Sequence, residues 1–330
     1  MKRREFITLL GGAAAAWPVA VRSQQPERMR LVGVLMSLPQ NDPGGQAEVE
    51  AFYQGLAAAG WVEGRNIQIE FRWPGGDVAL ARTLAKELIE LNPDVLVGRS
   101  TPTTAALKGV TSSIPIVFVN VAEPIGSGFV ESLVRPGGNI TGFTNFDGSI
   151  GGKWVQLLKE ADPHMTRIAN VFNPKTAPFA GSFLQSIGSA ATTVGVGTTA
   201  MPVESGDDIE SSFTAFARQP AGGLIAIPDS FILEHRHVII AQAAKNRLPA
   251  LYANRISALD GGLMAYAVDP RDLFRRSAGY VDRILNGAKP SELPVQMPTK
   301  FDLVINLKTA KTLRLDVPPM LIARADEVIE

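Results

Sequence analysis

The stretch DVLVGRSTPTTAALKGVTSSIPIVFVN, Asp94 to Asn120, decides the fold. Asp94–Gly98 is a short apolar run of buried-strand type. TPTTAALKGV then follows a helical pattern, with Pro102 in the first turn, where its missing N–H costs least. IPIVFVN is again apolar and rich in β-branched residues. Strand, helix and strand in about 27 residues form a βαβ unit, and strands apolar almost throughout belong to a parallel sheet covered on both faces. Arg99-Ser100-Thr101 fall where the strand hands over to the helix, the end of an open α/β sheet at which ligands collect.

The same alternation runs outward in both directions. RLVGVLM (Arg30–Met36), NIQIEFRW (Asn66–Trp73) and NITGFT (Asn139–Thr144) read as strands; Gly45–Gly60 and Asp77–Leu91 read as helices, the second with Asp77 as its cap. A second series begins with the helix at Ile150–Asp162. It continues through TRIANVFN, VGTTAMPV, GGLIAIPD, PALYA and GGLMAYAV as strands, with ILEHRHVIIAQAAKNR as one helix and Gly126–Val134 as another in the first series. Two doubly wound parallel sheets of about five strands each are expected, joined near 145–150 and 267–270. The expected division is 30–146 with 268–330 as one lobe and 147–267 as the other. Short joins suit a hinge, and the strand ends of both lobes should line one cleft.

Composition removes several functions. Lysine and arginine number 32 and so do aspartate and glutamate, so no charge excess favours nucleic acid as a partner. With no cysteine there is no disulfide, thiolate metal site, thiol nucleophile or lipidated cysteine. His164, His235 and His237 have no zinc-motif spacing, and no cofactor is expected. No Gly-x-Gly-x-x-Gly follows the first strand, and there is neither a phosphate-loop lysine motif nor a Gly-x-Ser-x-Gly elbow. These absences weigh against an enzyme and leave a carrier, a ligand sensor or an enzyme on the same fold as the readings.

The N-terminus, MKRREFITLLGGAAAAWPVAVRS, has a basic start, an apolar run too short for a permanent span, and small residues before Gln24. Arg3-Arg4-Glu5-Phe6-Ile7 resembles the twin-arginine export motif. Residues 1–23 are expected to be an export signal cleaved near Ser23/Gln24, which makes the mature chain periplasmic.

IPIVFVNVAEPIGSGFVESLVRPGGNITGFTNF, then GGKWVQLLKEADPHMTRIANVFNP, and GGLMAYAVDPRDLFRRSAGYVDRILNGAKPSELPVQMPTKFDLVINLKTAKTL near the end resemble the ABC-transporter substrate-binding family of tryptophan- and tyrosine-binding type. The resemblance spans nearly everything after Arg30. It implies the type I periplasmic binding protein fold, two lobes closing on a hinge. It also implies a small solute as ligand, aromatic amino acids foremost, and an inner-membrane ABC permease with its ATPase as partner; a monomer is expected. The family usually has Asp-Pro where this chain has Glu123-Pro124.

Candidate ligand-binding residues sit at strand ends. Ser100, Thr101 and Thr103 open a helix whose free N–H groups favour an anion such as a carboxylate, although such residues also simply cap their own helix. Arg99 could supply a cation there, although an arginine at a strand end is more often solvated. Glu123 could hold an ammonium group, or serve as a helix-entry acid. Asn145, Asn173 and Asp229 end strands on either side of the crossover and could equally be turn formers. Trp73, Tyr252 and Tyr266 could supply aromatic walls, and Ser37, just past the first strand, joins the set.

Overall fold

The computed structural model describes residues 28–330; the export signal expected at 1–23 lies outside them. In chain order the first lobe runs β1 (Arg30–Leu35), α1 (Pro43–Ala58), β2 (Ile67–Arg72), α2 (Val78–Glu90), β3 (Val95–Arg99), α3 (Thr101–Lys108), β4 (Ile116–Val121) and β5 (Ile140–Thr144). The second begins with α4 (Gly151–Ala161), β6 (Arg167–Phe172), α5 (Ala180–Thr193), β7 (Gly197–Pro202), α6 (Gly206–Phe216) and β8 (Gly222–Ala226). It continues with α7 (Ser230–Glu234), α8 (Arg236–Lys245), β9 (Ala250–Tyr252), α9 (Arg255–Leu259) and β10 (Met264–Ala267). The chain ends with α10 (Pro270–Leu285), β11 (Asp302–Asn306), α11 (Leu307–Leu313), α12 (Pro319–Ile322) and β12 (Glu327–Ile329).

The first sheet has five parallel strands in the order β2-β1-β3-β4-β5. The order reverses beside β1, so β1 and β3 hold the switch point where the connections part to opposite faces. The second sheet has seven strands, β12-β11-β10-β9-β8-β6-β7, parallel except at β10–β11. Two doubly wound, parallel-dominated sheets flanked by helices are what the alternation predicts.

Of the expected division, the return after 267 holds for α10 and fails for residues 302–330. α10 returns to the first lobe: Leu273, Phe274, Ala278, Val281 and Ile284 line its buried face, and Phe274 meets Phe52 of α1 edge-on with ring centroids 6.3 Å apart. The crossing is tight, for a Cβ on Gly55 would lie 2.3 Å from the Arg275 carbonyl oxygen. The chain then passes back. β11 pairs antiparallel with β10, and β12 joins parallel to β11, so 302–330 belongs to the second lobe rather than the first. The amphipathic period of α10 is plain in the sequence, but an apolar five-residue strand carries no mark of which sheet it will join.

Two local expectations also fail. Gly126–Val134 forms turns rather than a helix, as a segment holding Gly126 and Gly128 can. The helix expected from Ile232 onward divides into α7 and α8 at His235, whose φ of −88° and ψ of 14° interrupt the helical path. No helix among the described residues is long and apolar enough to cross a membrane.

Candidate functional site

A cavity of about 270 Å³ lies between the lobes. The turns after β1, β3, β4 and β5 wall it on one side, the turns after β6, β8 and β9 on the other, and the start of α10 closes its back. Leu38, Ala122, Phe179, Leu233, Ile256 and Val268 give it apolar walls, and polar and charged residues from both lobes share the lining.

α3 supplies the first of them. Ser100 has φ 78° and ψ 167°, a region natural to glycine, and its buried Oγ has no partner among the described residues. This backbone turn separates strand from helix so sharply that the first turn of α3 opens into the cavity. Thr103 and Thr104 do not contribute their hydroxyls: Thr103 Oγ1 donates back to the Arg99 carbonyl and Thr104 Oγ1 to the Ser100 carbonyl at 2.8 Å. The backbone N–H groups of Thr101 and Thr103 have no backbone acceptor among the described residues. Two N–H donors, one hydroxyl and the positive end of a helix are a complement for a carboxylate.

Behind α3, Arg99 is 2% exposed. Its Nε and Nη2 donate to Glu48 Oε2 and Oε1 at 2.5 and 2.8 Å, and its Nη1 to Ser37 Oγ at 2.7 Å. The solvated arginine of the sequence reading is thus a buried, bidentate ion pair, and Ser37 serves it rather than lining the cavity. Across β4 and β5, Asn145 Nδ2 donates to Asn120 Oδ1 at 3.0 Å, while Asn145 Oδ1 is buried without a partner.

The second lobe contributes Asp229. Its carboxylate accepts from Asn173 N at 2.7 Å, from Phe231 N at 2.9 Å and from the Thr176 hydroxyl. Burial outweighs these hydrogen bonds and pushes its pKa up to about 6. The other acids that line the cavity each have an arginine: Glu48 with Arg99, Asp42 with Arg236, and Asp269 with Arg271. Asp229 forms no ion pair with a lysine or arginine among the described residues. Among the described residues no cluster of three potential metal ligands exists.

Of the sequence candidates, Ser100, Thr101, Asn145 and Asp229 line one cavity and the others do not. Glu123, at φ 48°, turns its carboxylate to accept the Gly148 N–H and so ties down the first crossover. Thr103 is spent on carbonyls, and Asn173 Oδ1 accepts from Lys175 N at 2.8 Å. Trp73 stacks on Phe71 at 6.0 Å. Tyr252 is wholly buried in the second lobe's core, where burial raises its hydroxyl pKa; Tyr266 stacks on Phe301 at 5.5 Å. Sequence reasoning missed Asp42, Glu48, Asn254 and Asp269. Asp42-Pro43 and Asp269-Pro270 did carry a signal, an N-cap residue followed by proline at N1, and both side chains cap their helices. Glu48 and Arg99 are too far apart in sequence for any pattern to join them.

Two α/β lobes about a cleft with apolar walls and polar groups from both sides define a ligand-binding protein of the type I periplasmic fold. Residues 32–329 match the model of the family described as ABC transporter substrate binding protein, and the chain belongs to that family. It is 23% identical over 267 residues to a tyrosine-binding protein of Clostridioides difficile (strain R20291), covering 80% of this chain and 75% of that one. Among solved structures, a conserved domain protein from Vibrio cholerae is 30% identical with a TM-score of 0.85, covering 91% of this chain and all of that one. The ABC domain in complex with L-Trp from Streptococcus pneumonia is 24% identical with a TM-score of 0.84, covering 91% of this chain and 99% of the other.

Proposed function

We propose that this chain is the exported solute-binding component of an ABC importer, and that its cleft takes an α-amino acid with an uncharged side chain. One observation carries the reading. Ser100, whose Oγ has no partner among the described residues, and Thr101, whose N–H is free at the start of α3, line the cavity from one lobe, and Asp229, the lining acid without an arginine, lines it from the other. The first group suits the ligand's carboxylate and the second its ammonium group. Asp229 takes the role that the sequence suggested for Glu123. The paired state of the remaining lining charges leaves nothing to match a charged side chain, and the apolar lining suits an apolar or aromatic one. The tryptophan- and tyrosine-binding relatives support the same class.

A thermal-shift screen of the full chain tests this, because a ligand that binds only the folded state must raise the melting temperature. Aromatic and aliphatic amino acids are expected to give the largest shifts; a screen in which sugars or inorganic anions do so, and amino acids do not, would overturn the reading. Export is assigned to residues 1–23. Arg3→Lys with Arg4→Lys keeps the basic start but should hold the precursor in the cytoplasm, and normal periplasmic yield would exclude the twin-arginine route. Membership of the family supports delivery of the solute to a permease with a cytoplasmic ATPase.

A further inference from the structure

The cleft is spanned by an ion pair that touches neither α3 nor Asp229. Arg236 opens α8 in the second lobe, and its three nitrogens are divided between the lobes. Nε donates to Asp260 Oδ2 at 2.7 Å and Nη1 to the Leu233 carbonyl at 3.2 Å, both in the second lobe; Nη2 reaches Asp42 Oδ2 of the first lobe at 3.1 Å. Asp42 is held from its own side, since Oδ1 accepts the Gly45 N–H at 3.0 Å as the N-cap of α1. Each half is therefore aimed before the halves meet. Arg236 and Asp42 are about nine-tenths buried, at side-chain exposures of 10% and 9%. One residue pair away, Glu234 at the end of α7 lies against the backbone of Gly76 in the first lobe, where a Cβ would fall within 2.6 Å of the carboxyl carbon. The α7–α8 corner thus seats on the first lobe at two points.

We propose that Arg236 is a positioning residue for ligand capture: it acts through Asp42 as a clasp that forms only when the lobes close, and it sets how much of the ligand-free chain is closed. A ligand that binds between closed lobes then has an apparent affinity scaled by that closed fraction. Preorganisation on both sides matters. In the open state Asp42 still caps α1 and Arg236 still pairs with Asp260, so closing adds one charge-assisted hydrogen bond without freezing two free side chains. Removing one partner leaves the other charge desolvated in the closed state alone.

The proposal rests on the cleft being the ligand site, but its test needs no ligand. The chain has no cysteine, so nitroxide labels can be placed on full-length protein at Thr83→Cys and Ala244→Cys, exposed positions on α2 and α8. Pulsed dipolar spectroscopy then reads the interlobe distance. Ligand-free protein with Asp42 and Arg236 intact is expected to show a short-distance population. Asp42→Asn, which keeps the cap, and Arg236→Gln should each reduce it on the order of tenfold. The double variant should lose no more than either single one, and the melting temperature of Asp42→Asn should be unchanged. Distributions that are identical in all four proteins, or a parent that shows only the long distance, would overturn the clasp. If amino acids fail in the thermal-shift screen while the distances shift as expected, the ligand class falls and the clasp stands.

Discussion

Arg99 Nη2 donates to Glu48 Oε1 at 2.8 Å, and both side chains are almost wholly buried. A charge this deep is tolerable only with its partner, because desolvation of one unpaired ion costs several kcal/mol. The pair fixes the last residue of β3 against α1 and so holds the backbone that turns at Ser100. Arg99→Met alone should destabilise the protein by about 3–5 kcal/mol, while Arg99→Met with Glu48→Leu should recover most of that. Chemical denaturation of the single and double variants checks it; a double variant as unstable as the single would mean that the pair does more than neutralise itself.

Ser100 trades stability for a contact. A non-glycine residue at φ 78° and ψ 167° carries strain of about 1–3 kcal/mol. Ser100→Gly should relieve the strain and raise ligand-free stability by about 1 kcal/mol, after glycine's greater chain entropy is allowed for. The same change deletes the hydroxyl and should weaken ligand binding by about tenfold. Melting curves and calorimetric titrations of one variant thus move in opposite directions; unchanged affinity would remove the hydroxyl from the site.

Asp229 makes the protein pH-sensitive in a stated direction. Its folded pKa of about 6 lies above the ordinary value of 3.8, so the folded state holds this proton more tightly than the unfolded chain does. The contribution to stability is therefore greatest below about pH 4, falls as pH rises through the folded pKa, and is level above it, a loss on the order of 3 kcal/mol. Stability measured from pH 4 to 8, with Asp229→Asn subtracted, should show this slope. An ammonium group seated on Asp229 favours the ionised form, so amino-acid affinity should rise from pH 5 to pH 7. By contrast Glu123→Gln should leave affinity within about twofold, because its carboxylate is engaged by Gly148 in the crossover.

The sequence made the lobes legible because long amphipathic helices and apolar strands alternate without a break, and strands end in turn residues that mark the functional edge. Asp94–Asn120 held both pieces of information: the βαβ unit and the mouth of α3. The return of β11 and β12 to the second lobe was hidden, since a strand's apolar pattern states burial and not address. Side-chain roles were hidden for a related reason. Glu123, Tyr252 and Tyr266 stand at or near strand ends like Ser100 and Asp229, yet a strand end has two faces and several turns, and only packing decides which side chain enters the cleft. Arg99 was misread because nothing near it in sequence signals Glu48, which arrives from α1.

The most direct test of the central claim is a calorimetric titration of the full chain with L-tyrosine or L-tryptophan, whichever gives the larger thermal shift, and with the same compound lacking its amino group. The account predicts one site per chain for the amino acid, and binding of the deaminated acid weaker by at least about tenfold, since Asp229 would then face no cation. Equal affinity for the two, or no binding of any amino acid in the cleft, would contradict it.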